Sequence, residues 1–386
     1  MRLGLSALIL IIYFYAIPVG FGQQTPLSPS QLDRVFFIEL GGKTGKFLRV
    51  NAEGLKKGTP IQVVRRNLDG TETVYGTGET TGDPIAEVPL GPFPRPIKPN
   101  EPMFVKAKLD GSANFIQVGK SMEMREDLVT ATLPGRSISG IVSHLPNAKL
   151  FKRAIAVFPG WDGVLQLRQN GDEIFIKAVF HIAIRPRYWW LDDSTLVLAV
   201  DAPSDKWGGG ASDFEPQFFL STKRWADDLN ALMDAVEVKY GKLEWVFVGA
   251  SYGAVTSFHG AKQLPGRVSR LILLSPQTDS VKVSSSGRNI ALSDQRGVNP
   301  GMPTLWLSDR NDECASTSYS RAKEFAEAIK APFVTVENPN TGFGAACDAS
   351  TRHGFIGMTY EVVTLLKDWV AGKPIPDVLR PVPRIP

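Results

Sequence analysis

The sequence predicts an α/β protein: a mostly parallel sheet with helices on both faces, preceded by a small β-sandwich-like domain. Three observations predict it. From about residue 125 onward, continuous apolar runs alternate with amphipathic helical stripes. Before that, short β-like runs are punctuated by Gly, Asp, Asn and Pro, with no helical period of useful length. The chain has 386 residues, which at roughly 150 residues per domain suggests two or three domains.

Residues 1–22 are expected to be a secretory signal peptide. Arg2 supplies the positive end, Leu3 to Tyr15 the apolar stretch, and Gly20-Phe21-Gly22 small residues before a cleavage site. An uncleaved anchor is the competing reading, since Leu3–Phe21 is nearly long enough to span a bilayer. Residues 23–34 form a Pro/Ser/Gln linker. Residues 35–120 form the β-rich, immunoglobulin-like domain. Its expected strands are Val35–Leu40, Lys46–Val50, Pro60–Arg65, Thr73–Gly76 and Phe104–Leu109, with Gly91–Pro96 as a stiff segment. Residues 125–375 form the α/β domain, and 376–386 a Pro-rich tail.

Within the α/β domain, Leu128–Leu133 and Ser137–Ser143 are expected as an opening hairpin. Strands follow at Ala154–Phe158, Thr195–Val200, Trp245–Val248, Val268–Leu274, Thr304–Leu307 and Phe333–Val336. Such continuous apolar runs suit a parallel sheet buried on both faces. Trp225, Leu229, Leu232, Met233 and Val236 make one helical stripe, and Val362, Leu365, Leu366 and Trp369 the last. Packing against the sheet explains both. In such a domain ligand sites lie at the carboxyl ends of the strands.

Composition removes several function classes. Hydrophobic residues make up 43% and charged residues 21%, enough for a sizeable core. A net charge of +4, without a basic run, argues against nucleic acid as a partner. Four histidines without an HExxH argue against a zinc hydrolase. No metal or organic cofactor is expected. No later run approaches 18 apolar residues, so no stable membrane span is expected after signal cleavage. Gly42-Lys43-Thr44 lacks the leading glycine and following helix of a P-loop.

Gly249-Ala250-Ser251-Tyr252-Gly253 is the one G-x-S-x-G in the chain. Trp245–Val248 precedes it as a strand and Ala254–Phe258 follows as a helix. A serine on such a turn is pushed into the cleft, and only glycines fit beside it. A serine hydroxyl needs a base, itself oriented by a carboxylate. His353 is the candidate base, in a loop before the last helix. His259 lies two turns into the helix after the serine, and His144 and His181 precede the serine, so these are set aside. Asp312 is favoured as the acid over Asp309, with Asp279 third. An oxyanion hole needs two backbone donors. Tyr252 is the first candidate, and Trp161 in Pro159–Gly163 the second.

These residues, in this chain order, resemble the α/β-hydrolase superfamily. The resemblance covers about Leu128 to Gly372 and looks closest to exported bacterial serine hydrolases. It implies an α/β-hydrolase fold with a Ser-Asp-His triad. Pro159 departs from the pattern, since many members carry His before that glycine. The β-rich region lies outside the resemblance; its style is similar to that of acyl-CoA thioesterases of the superfamily. In an exported protein, Cys314 and Cys347 imply a disulfide tying the acid loop to the histidine loop. Trp161, Trp207 and Trp190 are weak candidates for the substrate pocket. Fewer than thirty residues separate Leu274 from Thr304, too few for a large lid. The expected function is hydrolysis of a small-molecule ester or related acyl bond through an acyl-serine intermediate, in the periplasm or outside the cell. A peptidase or thioesterase with the same triad is the alternative. A noncatalytic binding protein on this fold is the rival from another class.

Overall fold

The computed structural model describes residues 36–41, 47–51, 55–66, 71–80, 85–89, 103–120, 125–145, 148–160, 163–170, 173–175, 181–207, 222–279, 281–283, 288–339, 341, 344–349 and 351–381. The expected signal peptide, the linker, Gly91–Pro96 and Trp161 lie outside them.

Among the described residues, seven strands build the N-terminal region: β1 (Phe36–Gly41), β2 (Phe47–Asn51), β3 (Pro60–Arg66), β4 (Glu72–Glu79), β5 (Ile85–Pro89), β6 (Met103–Ala107) and β7 (Ile116–Lys120). They form two antiparallel sheets, β1-β2-β5 and β4-β3-β6-β7. Strand side chains alternate between faces, so Ile61 and Val63 point one way, as do Val105 and Ala107. With Val50, Tyr75 and Val118 they make a core of their own. β5 and β7 were not among the expected strands. Ile85-Ala86-Glu87-Val88-Pro89 places a charge and a proline in a short run, and pairing with β2 makes it a strand.

The α/β domain begins with the antiparallel pair β8 (Arg125–Leu133) and β9 (Arg136–His144). Next come β10 (Arg153–Phe158), a small hairpin of β11 (Arg168–Asn170) and β12 (Glu173–Phe175), then β13 (Thr195–Val200). Helix α1 (Lys223–Tyr240), β14 (Glu244–Ala250), helix α2 (Tyr252–Gln263) and β15 (Val268–Leu274) follow. A second hairpin, β16 (Val281–Val283) with β17 (Arg288–Ile290), occupies the short stretch where a lid would be inserted. The chain closes with β18 (Thr304–Asp309), helix α3 (Tyr319–Ala328), β19 (Phe333–Val336), helix α4 (Thr359–Val370) and β20 (Val378–Leu379).

Nine of these strands form one sheet in the order β8-β9-β13-β10-β14-β15-β18-β19-β20. From β13 across to β20 every neighbouring pair is parallel. Alternate residues of the central strands feed two separate cores. Ala154, Ala156 and Phe158 join Leu196, Leu198, Trp245 and Phe247 under α1, α2 and α3. Ile155 and Val157 join Val197, Val246 and Val248 on the opposite face, under α4 and the segment around Ile182–Leu191. Both faces are dry, which is why the strands read as unbroken apolar runs. The tail expected at 376–386 contributes β20, where the Asp377 carbonyl just before it and the Leu379 carbonyl within it accept hydrogen bonds from the Thr335 and Glu337 N–H groups. Trp190 is 3% exposed and packs in the second core.

Candidate active site

The strand order reverses at β10: β13 pairs on one side of it and β14 on the other. The loops leaving β10 and β14 therefore diverge and open a crevice at the carboxyl ends of the strands. Ser251 follows β14 there, with φ 55° and ψ −119°, immediately before α2. A non-glycine residue in this region costs about 1–3 kcal/mol and persists only where its surroundings enforce it. Here they do. The Ser251 N–H donates to the Leu274 carbonyl at 2.9 Å, and the Gln277 N–H donates to the Ser251 carbonyl at 3.3 Å. A Cβ on Gly249 would lie 2.1 Å from the Gly253 oxygen, and one on Gly253 would lie 2.1 Å from the Phe158 oxygen. Only glycine fits at either position, so the motif is dictated by backbone contact.

The loop after β18 carries Asp312, and a short 3₁₀ turn at Arg352–Gly354 carries His353. The His353 Nδ1–H donates to Asp312 Oδ2 at 3.0 Å, with both side chains buried. The Asp312 carboxylate is itself held. Its Oδ1 accepts from the Cys314 N–H at 2.9 Å, and its Oδ2 accepts from the Thr317 hydroxyl at 2.8 Å. The Thr351 hydroxyl caps the turn by accepting from the His353 N–H at 3.2 Å. With Nδ1 engaged, Nε2 is the nitrogen left to exchange a proton.

Asp309, the runner-up acid, ends β18 with no exposed surface. Its oxygens accept from the backbone N–H groups of Asn311 at 2.8 Å and Asn338 at 3.3 Å. Burial pushes its carboxyl up to about 6, against the pull of these two donors. Asn338 in turn donates to the Ile356 carbonyl at 2.9 Å. Asp309 thus ties the acid loop to the histidine loop. Asp279, the third choice, pairs with Arg321 at 3.1 Å. His259 is buried on α2 beside Phe258, and burial pushes its imidazole down to about 4.

Cys314 and Cys347 form a disulfide with their Cα atoms 4.6 Å apart. Arg185 braces the histidine loop from the sheet side. Its guanidinium is 1% exposed and donates to the Ala349 and Gly354 carbonyls at 3.3 Å and to the Thr359 hydroxyl at 2.6 Å.

On the β10 side, Tyr252 opens α2 and Trp207 donates its indole N–H to the Ala202 carbonyl at 2.9 Å. Asp201, at the end of β13, gathers the backbone N–H groups of Leu165, Gln166, Leu167 and Ala202 at 2.7, 3.2, 2.8 and 2.8 Å. Burial pushes its carboxyl up to about 6 while these four donors pull it down. The carboxylate fixes the chain after β10 to the neighbouring strand end.

One residue set aside in the sequence is at the site. The Gly160 N–H donates to His181 Nδ1 at 3.1 Å. Burial, then the His353 and Arg185 charges, push the His181 imidazole down to about 3. The signal in the sequence was weak: nothing local to Gly160 points to a residue twenty-one positions later.

A family model described as Hydrolase_4: serine aminopeptidase, S33, matches residues 199–350. Among solved structures, a cold-adapted esterase from an Arctic intertidal metagenomic library is 14% identical, with 55% of this chain and 83% of that one covered and a TM-score of 0.40. A dienelactone hydrolase from Anabaena variabilis is 14% identical, with 65% and 98% covered and a TM-score of 0.41. No curated protein matches the chain. Its nine-stranded, mostly parallel sheet with helices on both faces and the elbow at Ser251 are those of an α/β-hydrolase fold, and the family match spans β14, β15 and β18.

Proposed function

We propose that the protein hydrolyses an ester or related acyl bond through an acyl-Ser251 intermediate. The observation that carries this reading is the buried Asp312–His353 hydrogen bond at the same sheet end as a serine held at positive φ. His353 Nε2 takes the serine proton as Oγ attacks the carbonyl carbon, then returns it to the leaving oxygen. A water deprotonated by the same nitrogen releases the acid and restores Ser251. Asp312 keeps the imidazole in the Nδ1–H tautomer and stabilises the imidazolium. The Tyr252 and Trp161 N–H groups receive the developing oxyanion, aided by the N-terminus of α2.

A peptidase is the second reading, favoured by the name of the matched family. The two separate in one panel. p-Nitrophenyl esters of increasing acyl length and aminoacyl p-nitroanilides are assayed side by side, and the esters are expected to turn over faster per site. Anilide turnover exceeding ester turnover selects the peptidase. A fluorophosphonate probe is expected to label Ser251, and an unlabelled serine rejects the acyl-enzyme altogether.

We also assign the site to an oxidising compartment, because its two loops are joined by the Cys314–Cys347 bond. Closing a loop of this size stabilises by about 3–4 kcal/mol in the chain-entropy model. Cys314→Ser/Cys347→Ser is expected to melt lower and to lose activity at temperatures where the fold survives, since base placement is sensitive to small shifts. Thiol alkylation of unreduced, denatured protein purified from an oxidising compartment checks the bond, and two alkylated cysteines refute it.

A further inference from the structure

We propose that His181 is a catalytic residue, donating its Nε2–H to the substrate carbonyl oxygen as a side-chain member of the oxyanion hole. The inference rests on the acyl-Ser251 reading and adds a donor to the two backbone N–H groups.

The tautomer follows from one hydrogen bond. Gly160 is a donor, so the His181 Nδ1 facing it must be an acceptor, and a neutral ring then carries its proton on Nε2. The ring stays neutral near neutral pH, because burial first, then the His353 and Arg185 charges, push its imidazole down to about 3. A neutral imidazole donates without bringing a charge to the cleft, as suits a group facing an oxyanion and a histidine that becomes imidazolium in the same step.

Placement follows from Gly160. A Cβ there would meet His181 Cε1 at 2.3 Å, His181 Nε2 at 2.7 Å and the Ala250 carbonyl oxygen at 2.9 Å. One missing methyl therefore lies between the Nε2 edge of the ring and the residue preceding Ser251. This is the crevice between β10 and β14, the side from which the second oxyanion donor is supplied in this fold. Among the described residues, no group takes up His181 Nε2, and the residue is only partly covered. The polar edge of the ring is thus left for a ligand, while the other nitrogen is spent on orienting it.

Two variants separate the ring's two nitrogens. In His181→Asn the amide reaches the Nδ1 position, so the Gly160 contact can persist while the Nε2 donor is lost. In His181→Gln the amide reaches the Nε2 position, so a donor remains. Loss of one oxyanion donor typically costs about 10²–10³-fold in kcat. His181→Asn is expected to fall by that factor in kcat with KM changed less than about threefold, and His181→Gln to recover at least about tenfold of it. His181→Asn within about threefold of wild type, or the two variants equally impaired, overturns the proposal.

A measurement on the unmodified protein covers the case in which the variants do not fold. Paraoxon phosphorylates the nucleophile: the Ser251 Oγ–P bond forms, the P–O(aryl) bond breaks, p-nitrophenolate leaves and His353 accepts the serine proton. The phosphoryl oxygen then occupies the oxyanion position. With ¹⁵N-labelled histidine, the four imidazoles are followed by NMR. His181 is expected as the Nε2–H tautomer, with that proton moving downfield in the adduct. An Nδ1–H tautomer, or no movement in the adduct, overturns the proposal. If paraoxon leaves Ser251 unmodified, the acyl-serine reading fails instead, so the two failures are distinguishable.

Discussion

Ser251→Ala is expected to lose about five to six orders of magnitude in kcat, since a triad without its nucleophile retains only what binding and the oxyanion donors supply. The fold should barely notice. Ser251 is partly exposed at a strand end, and the hydrogen bonds that hold it there run from its backbone N–H to the Leu274 carbonyl and from the Gln277 N–H to its own carbonyl. Alanine keeps the Cβ and the positive φ, so neither the packing nor the strain of the turn changes. The melting temperature should stay close to that of the wild type while ester turnover disappears. Retention of more than about a tenth of wild-type activity removes Ser251 from the nucleophile's role.

Asp312→Asn is expected to lose on the order of 10⁴-fold in kcat, and Asp309→Asn less than about tenfold. The contrast is one of partners. Asp312 Oδ2 accepts the His353 Nδ1 proton at 3.0 Å. An asparagine there can turn its NH₂ toward the ring, which favours the tautomer with the proton on Nε2, and that nitrogen then has no lone pair for the serine proton. Asp309 spends its oxygens on two backbone N–H groups, and an asparagine oxygen still satisfies one of them. Its loss should appear mainly as reduced stability of the loops. Steady-state kinetics and melting curves on the two variants decide it, and the reverse ranking in kcat moves the acid to Asp309.

What was legible in the sequence was whatever is local or ordered along the chain. The elbow is a contiguous strand, turn and helix. Asp312 and His353 follow it in the order the superfamily uses, with the two cysteines between them. The central strands were legible because both faces are dry, so Ala154–Phe158 and Trp245–Val248 read as unbroken apolar runs. Residues whose partner is set by the tertiary fold were not legible. His181 meets Gly160 across a hairpin, and Arg185 reaches Gly354 and Thr359 from a segment more than 160 residues earlier. Asp201 follows the expected strand Thr195–Val200 with no local sign of its role, yet its carboxylate gathers four N–H groups. β5 and β7 were missed for the reverse reason: their sequences are weak, and pairing with β2 and β6 makes them strands.

The contact between Gly253 and the Phe158 carbonyl has a consequence for how such a chain can diverge. Because backbone atoms fill the space a methyl would need, the separation between the turn bearing the serine and the end of β10 is set without any side chain. Repacking the cores beneath alters stability while leaving that separation almost untouched. Mutational drift can thus rewrite the walls of the crevice, and with them the choice of substrate, without moving the reacting atoms. The glycines act as a fixed gauge: any accepted substitution at 249 or 253 would have to shift main chain on both sides of the reaction centre at once.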